Sequence, residues 1–396
     1  VRFGFREIWR EGRKIYLNGH EQNLRVSGDA GILTNGVKAL TKLGYNTVDF
    51  RPAKEAEMEL SDAQLENFST NGVGVIAPVA FFDRNAAAGI AKSGSWRDDV
   101  KNDSARIVLR YRNWPCVLTG VFGADAYAPK HAGDPAHFGD DDGESFPKAV
   151  NELADAARTV NSNVLYSSDS DGALGDLESA TLAYDWTPVA EWEDRFSAWT
   201  GKAQRPFRVR GLRMPGEKDW YRDGRDCVTE ILASFYGDRA YELEPDEIRF
   251  AHRSNTVACA AHPLVGEFGK DFLTRVSRAW RTVGVNGGIG WPDPDSAKAA
   301  NAQFLGWIAG SPRVTDRRHA YESGVTVEKQ VVMMWDGYKR RKLSVQWKVG
   351  GKKKALASGL VEKTLEPGRP VFVPIRFKAP AVKAKARYTL SVKFLD

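Results

Sequence analysis

Acidic residues in this chain gather where apolar runs end. Asp49 closes "NTVDF" (46–50), Asp169 and Asp171 follow "NVLYSS" (163–168), and Asp185 ends "TLAYDW" (181–186) between two aromatic residues. If those runs are parallel strands, their carboxylates stand at one end of a sheet. Two such groups across one bond can serve as general acid and general base. Asp185 is the preferred member of this set because Tyr184 and Trp186 flank it. Glu217 lies in the turn that follows the run "RPFRVRGLRMPG" (205–216) and could reach back to the same end. Glu267, in "VGEFG", reads as part of a loop entering a helix and is a weaker candidate.

Other chemistries find less support. The three cysteines, Cys116, Cys227 and Cys259, have no CxxC or Cys/His spacing, so neither a structural metal nor a disulfide framework is expected. The segment "SSDSDGALGDLES" is rich in oxygen ligands but lacks the spacing of a calcium loop. His131 and His137 sit in a long acidic loop, 128–146, which reads as a solvated segment shaping access rather than a metal site. Phosphate loops, a Ser-His-Asp order and a dinucleotide fingerprint are absent from the sequence, and no cofactor is expected.

The elements that must position these groups alternate for about 310 residues. Strand-like runs are expected at 23–28, 46–50, 73–81, 116–123, 163–168, 181–186, 206–211 and 285–291. Helical periodicity fills 32–44, 102–112, 146–161, 189–199, parts of 224–282, and 296–309, and a helix from Ser61 has that serine as N-cap. Eight apolar strands separated by helices predict a closed (β/α)8 TIM barrel over 1–312. After residue 318 the period falls to two in "VTVEKQVVMMW", "KLSVQWKV", "PVFVPIRFKAP" and "ARYTLSVKFLD". A small C-terminal all-β sandwich, immunoglobulin-like, is therefore expected over 319–396.

Several stretches resemble the barrel domain of glycoside hydrolase family 2, the β-galactosidase and β-glucuronidase group. "GFREIWREGRKIYLNGHEQNLRVSG" (4–28) is similar to that family's lead into the barrel, with a hairpin around "LNG". "VKALTKLGYNTVDFRP" (37–52) resembles its first helix and second strand, and "RNWPCVLTGVFGADA" (112–126) its fourth. "GIGWPD" resembles the end of the eighth strand, and an immunoglobulin-like module after the barrel is common in the group. The likeness runs over roughly 2–310 and is strongest in the first 125 residues.

The resemblance implies a glycosidase with two glutamates, at the ends of strands four and seven, on the C-terminal face of the barrel. The acid/base position falls on Asp125, preceded by Ala124 where the family has asparagine. The nucleophile position falls on Gly211, which has no side chain to attack with. A second carboxylate, Asp185 or Glu217, must then act as base or nucleophile. The alternative is a carbohydrate-binding or scaffold protein on a decayed barrel. Trp291, Trp186 and Trp220 are candidates to stack on sugar faces. Arg51 and Arg6 could meet an acidic or sulfated group. Domains upstream of "GFR" are usual in the family, and a secreted or periplasmic location follows from the resemblance alone.

Bulk composition is compatible. Of 396 residues, 42% are hydrophobic and 27% charged, with a net charge of +6, and no apolar window is long enough to cross a membrane as a helix. The basic runs "YKRRK" and "GGKKK" have little interleaved aromatic surface, so a solvated face is expected there rather than a nucleic-acid site. Oligomeric state is left open.

Overall fold

The computed structural model describes residues 5–27, 36–51, 59–80, 82, 90, 93–127, 145–183, 192–213, 228–245, 262–288, 293–316, 318–350 and 355–396. The chain opens with a three-stranded antiparallel hairpin sheet, β1 (Ile8–Glu11), β2 (Lys14–Leu17) and β3 (His20–Gln22). Asn18 and Gly19 make the two-residue turn between β2 and β3, with φ of 50° and 82°. Both angles are positive, as the tightest hairpin turns require, and Asn-Gly is the pair that tolerates them.

Eight parallel strands follow: β4 (Arg25–Ser27), β5 (Thr47–Asp49), β6 (Gly74–Ala80), β7 (Val117–Tyr127), β8 (Leu165–Ser170), β10 (Leu177–Ala183), β11 (Phe207–Arg213) and β12 (Asn286–Gly288). With a short antiparallel strand β9 (Gly172–Leu174) they form one sheet of order β8-β7-β6-β5-β4-β12-β11-β10-β9. The two ends meet at a single bridge between Ser167 and Gly175, so the sheet is barrel-like and nearly closed. All seven residues of β6 are buried, which is why such strands read as continuous apolar runs.

Helices alternate with the strands: α1 (Val37–Lys42), α2 (Asp62–Thr70), α3 (Gly94–Tyr111), α4 (Ser145–Val160), α5 (Trp192–Lys202), then α6 (Val228–Tyr236), α7 (Arg239–Glu242) and α8 (Val265–Thr282), and finally α9 (Pro294–Ala300). Ser61 caps α2 in a full capping box. Its side chain accepts from the Gln64 amide, and its own amide donates to Gln64 Oε1 at 2.8 Å. On α8, Phe268, Phe272, Val276 and Trp280 recur every four residues, with Leu273 beside them, and bury one stripe against β11 and α6.

One connection departs from the expected alternation. No helix separates β8 from β10; the chain turns through β9 instead. Gly175 allows this turn. Its φ is +70°, and a Cβ there would lie 2.3 Å from the Tyr166 carbonyl oxygen. The acidic "SSDSDGALGDLES" is thus a hairpin bound into the barrel.

The barrel interior has two layers. Val26, Ile76, Leu118, Leu165 and Leu177 fill the lower layer, and Ile8 and Ile15 of the hairpin plug it from below. The upper layer, toward the C-terminal strand ends, is charged.

The helix expected over 296–309 ends at Ala300. Residues Phe304–Gly310 instead form strand β13, paired antiparallel along its whole length with β14 (Thr326–Trp335). The all-β part therefore begins before residue 319. Its sheets are β13-β14-β17 and β16-β15-β18, where β15 is Arg341–Gly350, β16 Ala355–Leu365, β17 Val371–Lys378 and β18 Thr389–Leu395. Val331, Met333, Leu343, Val345, Leu365, Val373 and Ile375 pack between the two sheets. Trp307, Ala309, Val332 and Met334 occupy the other face of the first sheet, with Arg278 of α8 over the Trp307 ring.

Asp336 locks the two parts together. It is buried and accepts from Arg25 at 2.6 Å, Arg281 at 2.8 Å and Asn23 at 3.4 Å.

Candidate functional site

The charged upper layer is built by strand periodicity. On β11, Phe207 and Val209 pack outward among the helices, which turns Arg208 and Arg210 into the barrel. Arg208 is among the largest fully buried side chains of the described residues, at 2% exposure. A buried guanidinium is tolerated only with partners, and it finds them on other strands.

Arg208 donates to Asp49 at 2.6 Å and lies 3.7 Å from Asp169. Arg210 donates to Asp169 at 3.1 Å and to Asp171 at 2.9 Å. Arg51 donates to Asp49 through Nε at 3.0 Å and Nη2 at 2.7 Å, and Nη2 also reaches the Arg210 carbonyl at 2.9 Å. Thr181 on β10 adds a bond to Asp171 at 3.2 Å. Three aspartates and three arginines from both sides of the barrel thus form one lattice.

This lattice engages three of the strand-end carboxylates with guanidiniums. Burial alone would raise the Asp169 pKa, but Arg210, Arg208 and Arg51 outweigh it and hold the carboxyl down to about 2. A group so acidic keeps no proton to donate at neutral pH. Asp49 and Asp171 accept hydrogen bonds from guanidiniums of the same lattice.

Arg51 is the member closest to solvent, its side chain 41% exposed. The lattice fixes it: one edge of its guanidinium is taken by Asp49 and the Arg210 carbonyl. Arg6 is not a neighbour. It donates to the Trp114 carbonyl at 3.4 Å, near the N-terminal strand ends, and burial lowers its pKa to about 10. Glu267 lies in the first turn of α8, half exposed, opposite Arg239 at 3.4 Å. It is an outer-helix residue.

Asp125 stands in the last part of β7. There the ladder to β8 breaks: Phe122 pairs with Ser168 and Tyr127 with Ser170, so residues 123–126 stand opposite Asp169 alone. Gly123, at φ 87°, begins this bulge. Bulges at strand ends beside active sites re-aim side chains, and this one carries the residue expected to be the proton donor.

A second bulge sits on β11. Ala180 pairs with Val209 and Thr181 with Gly211, leaving Arg210 as the extra residue. The slip carries Gly211 to the parity of the inward-facing positions. The strand-seven place named from the resemblance is therefore a backbone position at the barrel mouth without a side chain.

Asp185, Trp186, Glu217, Trp220 and Trp291 lie outside the described residues, as do His131 and His137. The sequence reading missed Arg208 and Arg210. Their signal was present in "FRVR", where two arginines alternate with two apolar residues inside a strand that must be buried on both faces. Among the described residues no group of three or more His, Cys, Asp or Glu could hold a metal ion. An open groove of about 600 Å³ lies at the opposite, N-terminal end, lined by Arg25, Lys42, Tyr45, Lys298 and Asn301 among others.

No protein-family model matches the chain, and no curated protein matches it significantly. Solved structures do. The β-D-mannosidase of Dictyoglomus thermophilum matches with a TM-score of 0.59 at 13% identity, over 99% of this chain and 52% of that one. The exo-chitosanase CsxA of Amycolatopsis orientalis matches with a TM-score of 0.57 at 14% identity, over 100% of this chain and 50% of that one. The chain spans about half the length of these structures. At such identities the likeness is one of fold, and the fold is glycoside hydrolase family 2-like: a nearly closed barrel-like sheet of parallel strands followed by all-β sheets.

Proposed function

We propose that this chain acts as a glycoside hydrolase on a β-linked poly- or oligosaccharide bound at the C-terminal face of the barrel. The observation that carries the reading is the fold. It matches, over essentially the whole chain, a β-D-mannosidase and an exo-chitosanase. The finer architecture belongs to the same reading: a (β/α)8 barrel with an immunoglobulin-like module behind it. A secreted or periplasmic location accompanies a polysaccharide substrate.

In this mechanism Asp125 protonates the leaving glycosidic oxygen. The bulge that holds it supports that role, since an aspartate is one methylene shorter than a glutamate and needs its backbone carried forward. Asp185 or Glu217 supplies the second carboxylate, as nucleophile at about 5–5.5 Å separation or as base for water at about 6.5–9.5 Å. Trp291, Trp186 and Trp220 make the floor on which sugar rings stack. Arg51 presents a fixed cation at the rim.

A second reading is favoured by a specific observation. Gly211 replaces the strand-seven carboxylate, and Asp49, Asp169 and Asp171 are neutralised by arginines. This is what a barrel that binds sugar without cleaving it would contain.

Reducing-sugar release over neutral, sulfated and uronic polysaccharides separates the two. A fall of about 10²-fold or more in Asp125→Asn supports the hydrolase. Wild-type protein that releases nothing yet retains a glycan in affinity electrophoresis refutes hydrolysis and leaves the binding reading.

A further inference from the structure

Charge is distributed unevenly along this molecule. Residues 319–396 contain 17 Lys and Arg against 6 Asp and Glu, which leaves 40 basic against 45 acidic residues in the rest. The all-β part is strongly cationic and the barrel part mildly anionic.

Most of the few acids in the cationic part are engaged. Asp336 is buried against Arg25 and Arg281. Glu328 pairs with Arg376, Glu366 with Arg340 and Asp396 with Arg341. The field that reaches solvent is therefore set by lysines.

Those lysines are arranged by strand geometry. In the sheet β16-β15-β18, Leu343, Val345, Val349, Val392 and Phe394 point inward to the sandwich core. The alternate residues face out, and Lys342, Lys348 and Lys393 are all exposed. Lys393 pairs in register with Gln346, which makes it the diagonal neighbour of Lys348, about 7–8 Å away. Lys342 lies six residues from Lys348 on the same strand, about 20 Å along it. None of the three pairs with a carboxylate among the described residues. Between them the face offers Ser344, Gln346, Ser358 and Ser391, which are hydrogen-bonding groups, the apolar Leu360 and Leu395, and one carboxylate, Glu362, in register with Ser344.

We propose that this outward sheet face binds an anionic polysaccharide, one bearing carboxylate or sulfate along an extended chain. The cationic row supplies the attraction and the polar side chains the contacts to hydroxyls. Aromatic residues on these strands, Trp347 and Phe394, turn toward the core. The face thus offers no ring on which a base could stack, and single-stranded nucleic acid fits it poorly. The choice of a polysaccharide among polyanions rests on the glycosidase reading; the cationic face itself does not.

The test uses the full chain and needs no turnover. Affinity electrophoresis and calorimetry with polygalacturonate and with dextran sulfate are compared with a neutral β-mannan. Wild type is expected to bind the two anionic polymers, with affinity falling as salt rises. The triple substitution Lys342→Gln, Lys348→Gln, Lys393→Gln is expected to weaken that binding at least tenfold without shifting the melting temperature. The corresponding triple arginine substitution is expected to restore it.

Equal binding by wild type and the glutamine variant would overturn the proposal. So would tighter binding to a DNA oligonucleotide or to phosphatidylserine vesicles than to either polysaccharide. A concentration-dependent dimer that the glutamine variant abolishes would instead assign the face to a second copy. Release of sugar from a neutral substrate, if the barrel is active, is expected to change less than twofold in the glutamine variant. Failure at the sheet is thereby distinguishable from failure at the barrel.

Discussion

Replacing Arg210 with methionine tests whether the lattice is a structural necessity. Methionine keeps an unbranched apolar stem and removes only the guanidinium. Asp169 and Asp171 then lose contacts of 3.1 and 2.9 Å while remaining buried. The magnitude can be approached from the Asp169 carboxyl. Its pKa falls from 3.8 to about 2, and about two units correspond to roughly 2–3 kcal/mol. That is what remains after burial has opposed it, so the guanidiniums together supply more. Arg210 makes the largest contribution among them and serves Asp171 as well. Breaking such a buried pair costs about 3–5 kcal/mol, and Arg210→Met is expected to lose that much in urea denaturation at pH 7.

The pH dependence has a defined sign. In wild type the Asp169 pKa is depressed by folding, so its contribution is complete above about pH 4 and is lost as pH falls toward 2. In the variant burial is less opposed and the folded-state pKa rises. Protonation then relieves a buried charge that has lost its Arg210 partner, and the gap between variant and wild type should narrow between pH 7 and pH 3. A loss under about 1 kcal/mol at pH 7, or a gap that stays constant with pH, would refute the account.

Two further substitutions probe other joints. Asp336→Ala strands the Arg25 and Arg281 guanidiniums that meet at its carboxylate, and a cost of about 3–5 kcal/mol is expected. Calorimetry should show the loss, and Asp336→Asn should recover only part of it. Gly175→Ala should destabilise by well over the roughly 1–2 kcal/mol that a left-handed backbone alone costs an L-residue, because its Cβ would meet the Tyr166 carbonyl at 2.3 Å. Gly12→Ala is the control, with φ +56° and open space around it. Equal losses at the two glycines would remove the steric argument.

Legibility followed burial. Strands with one environment on both faces, such as β6, announced themselves as apolar runs; the Ser61 cap followed from local chemistry, and the hairpin around "LNG" from the family resemblance. β13 did not. "FLGWIAG" alternates with nothing because one face meets the sandwich core and the other meets α8, so it read as part of a helix. The same double burial makes β14 continuous in "VVMMW". The lattice was half legible: Asp49, Asp169 and Asp171 were recognised as strand-end carboxylates and Arg51 lies beside Asp49 in sequence, but the other two arginines, Arg208 and Arg210, lie far away on β11. Pairing across 159 residues, as between Arg208 and Asp49, leaves no local pattern to read.

The lattice also answers a question that the topology raises. Elsewhere the barrel is held by parallel ladders, whereas among the described residues the backbone joins β8 and β10 only through the β9 hairpin and the Ser167–Gly175 bridge. Side chains take over at this seam. Near its lower end, Asp176 accepts from the Tyr166 amide at 2.8 Å and from Arg158 at 2.8 Å. At its upper end, Arg210 reaches from β11 past β10 to Asp169 and Asp171, and Thr181 of β10 bonds the same Asp171. Charged groups thus close the barrel where backbone hydrogen bonds do not. The cost is that three strand-end carboxylates are committed to architecture. Hydrogen exchange checks this division of labour. In Arg210→Met, amides of β8 and β10 should exchange faster by tenfold or more, while those of β5 and β6 should follow global stability alone. Uniform acceleration across the sheet would mean that the seam is held by something other than these side chains.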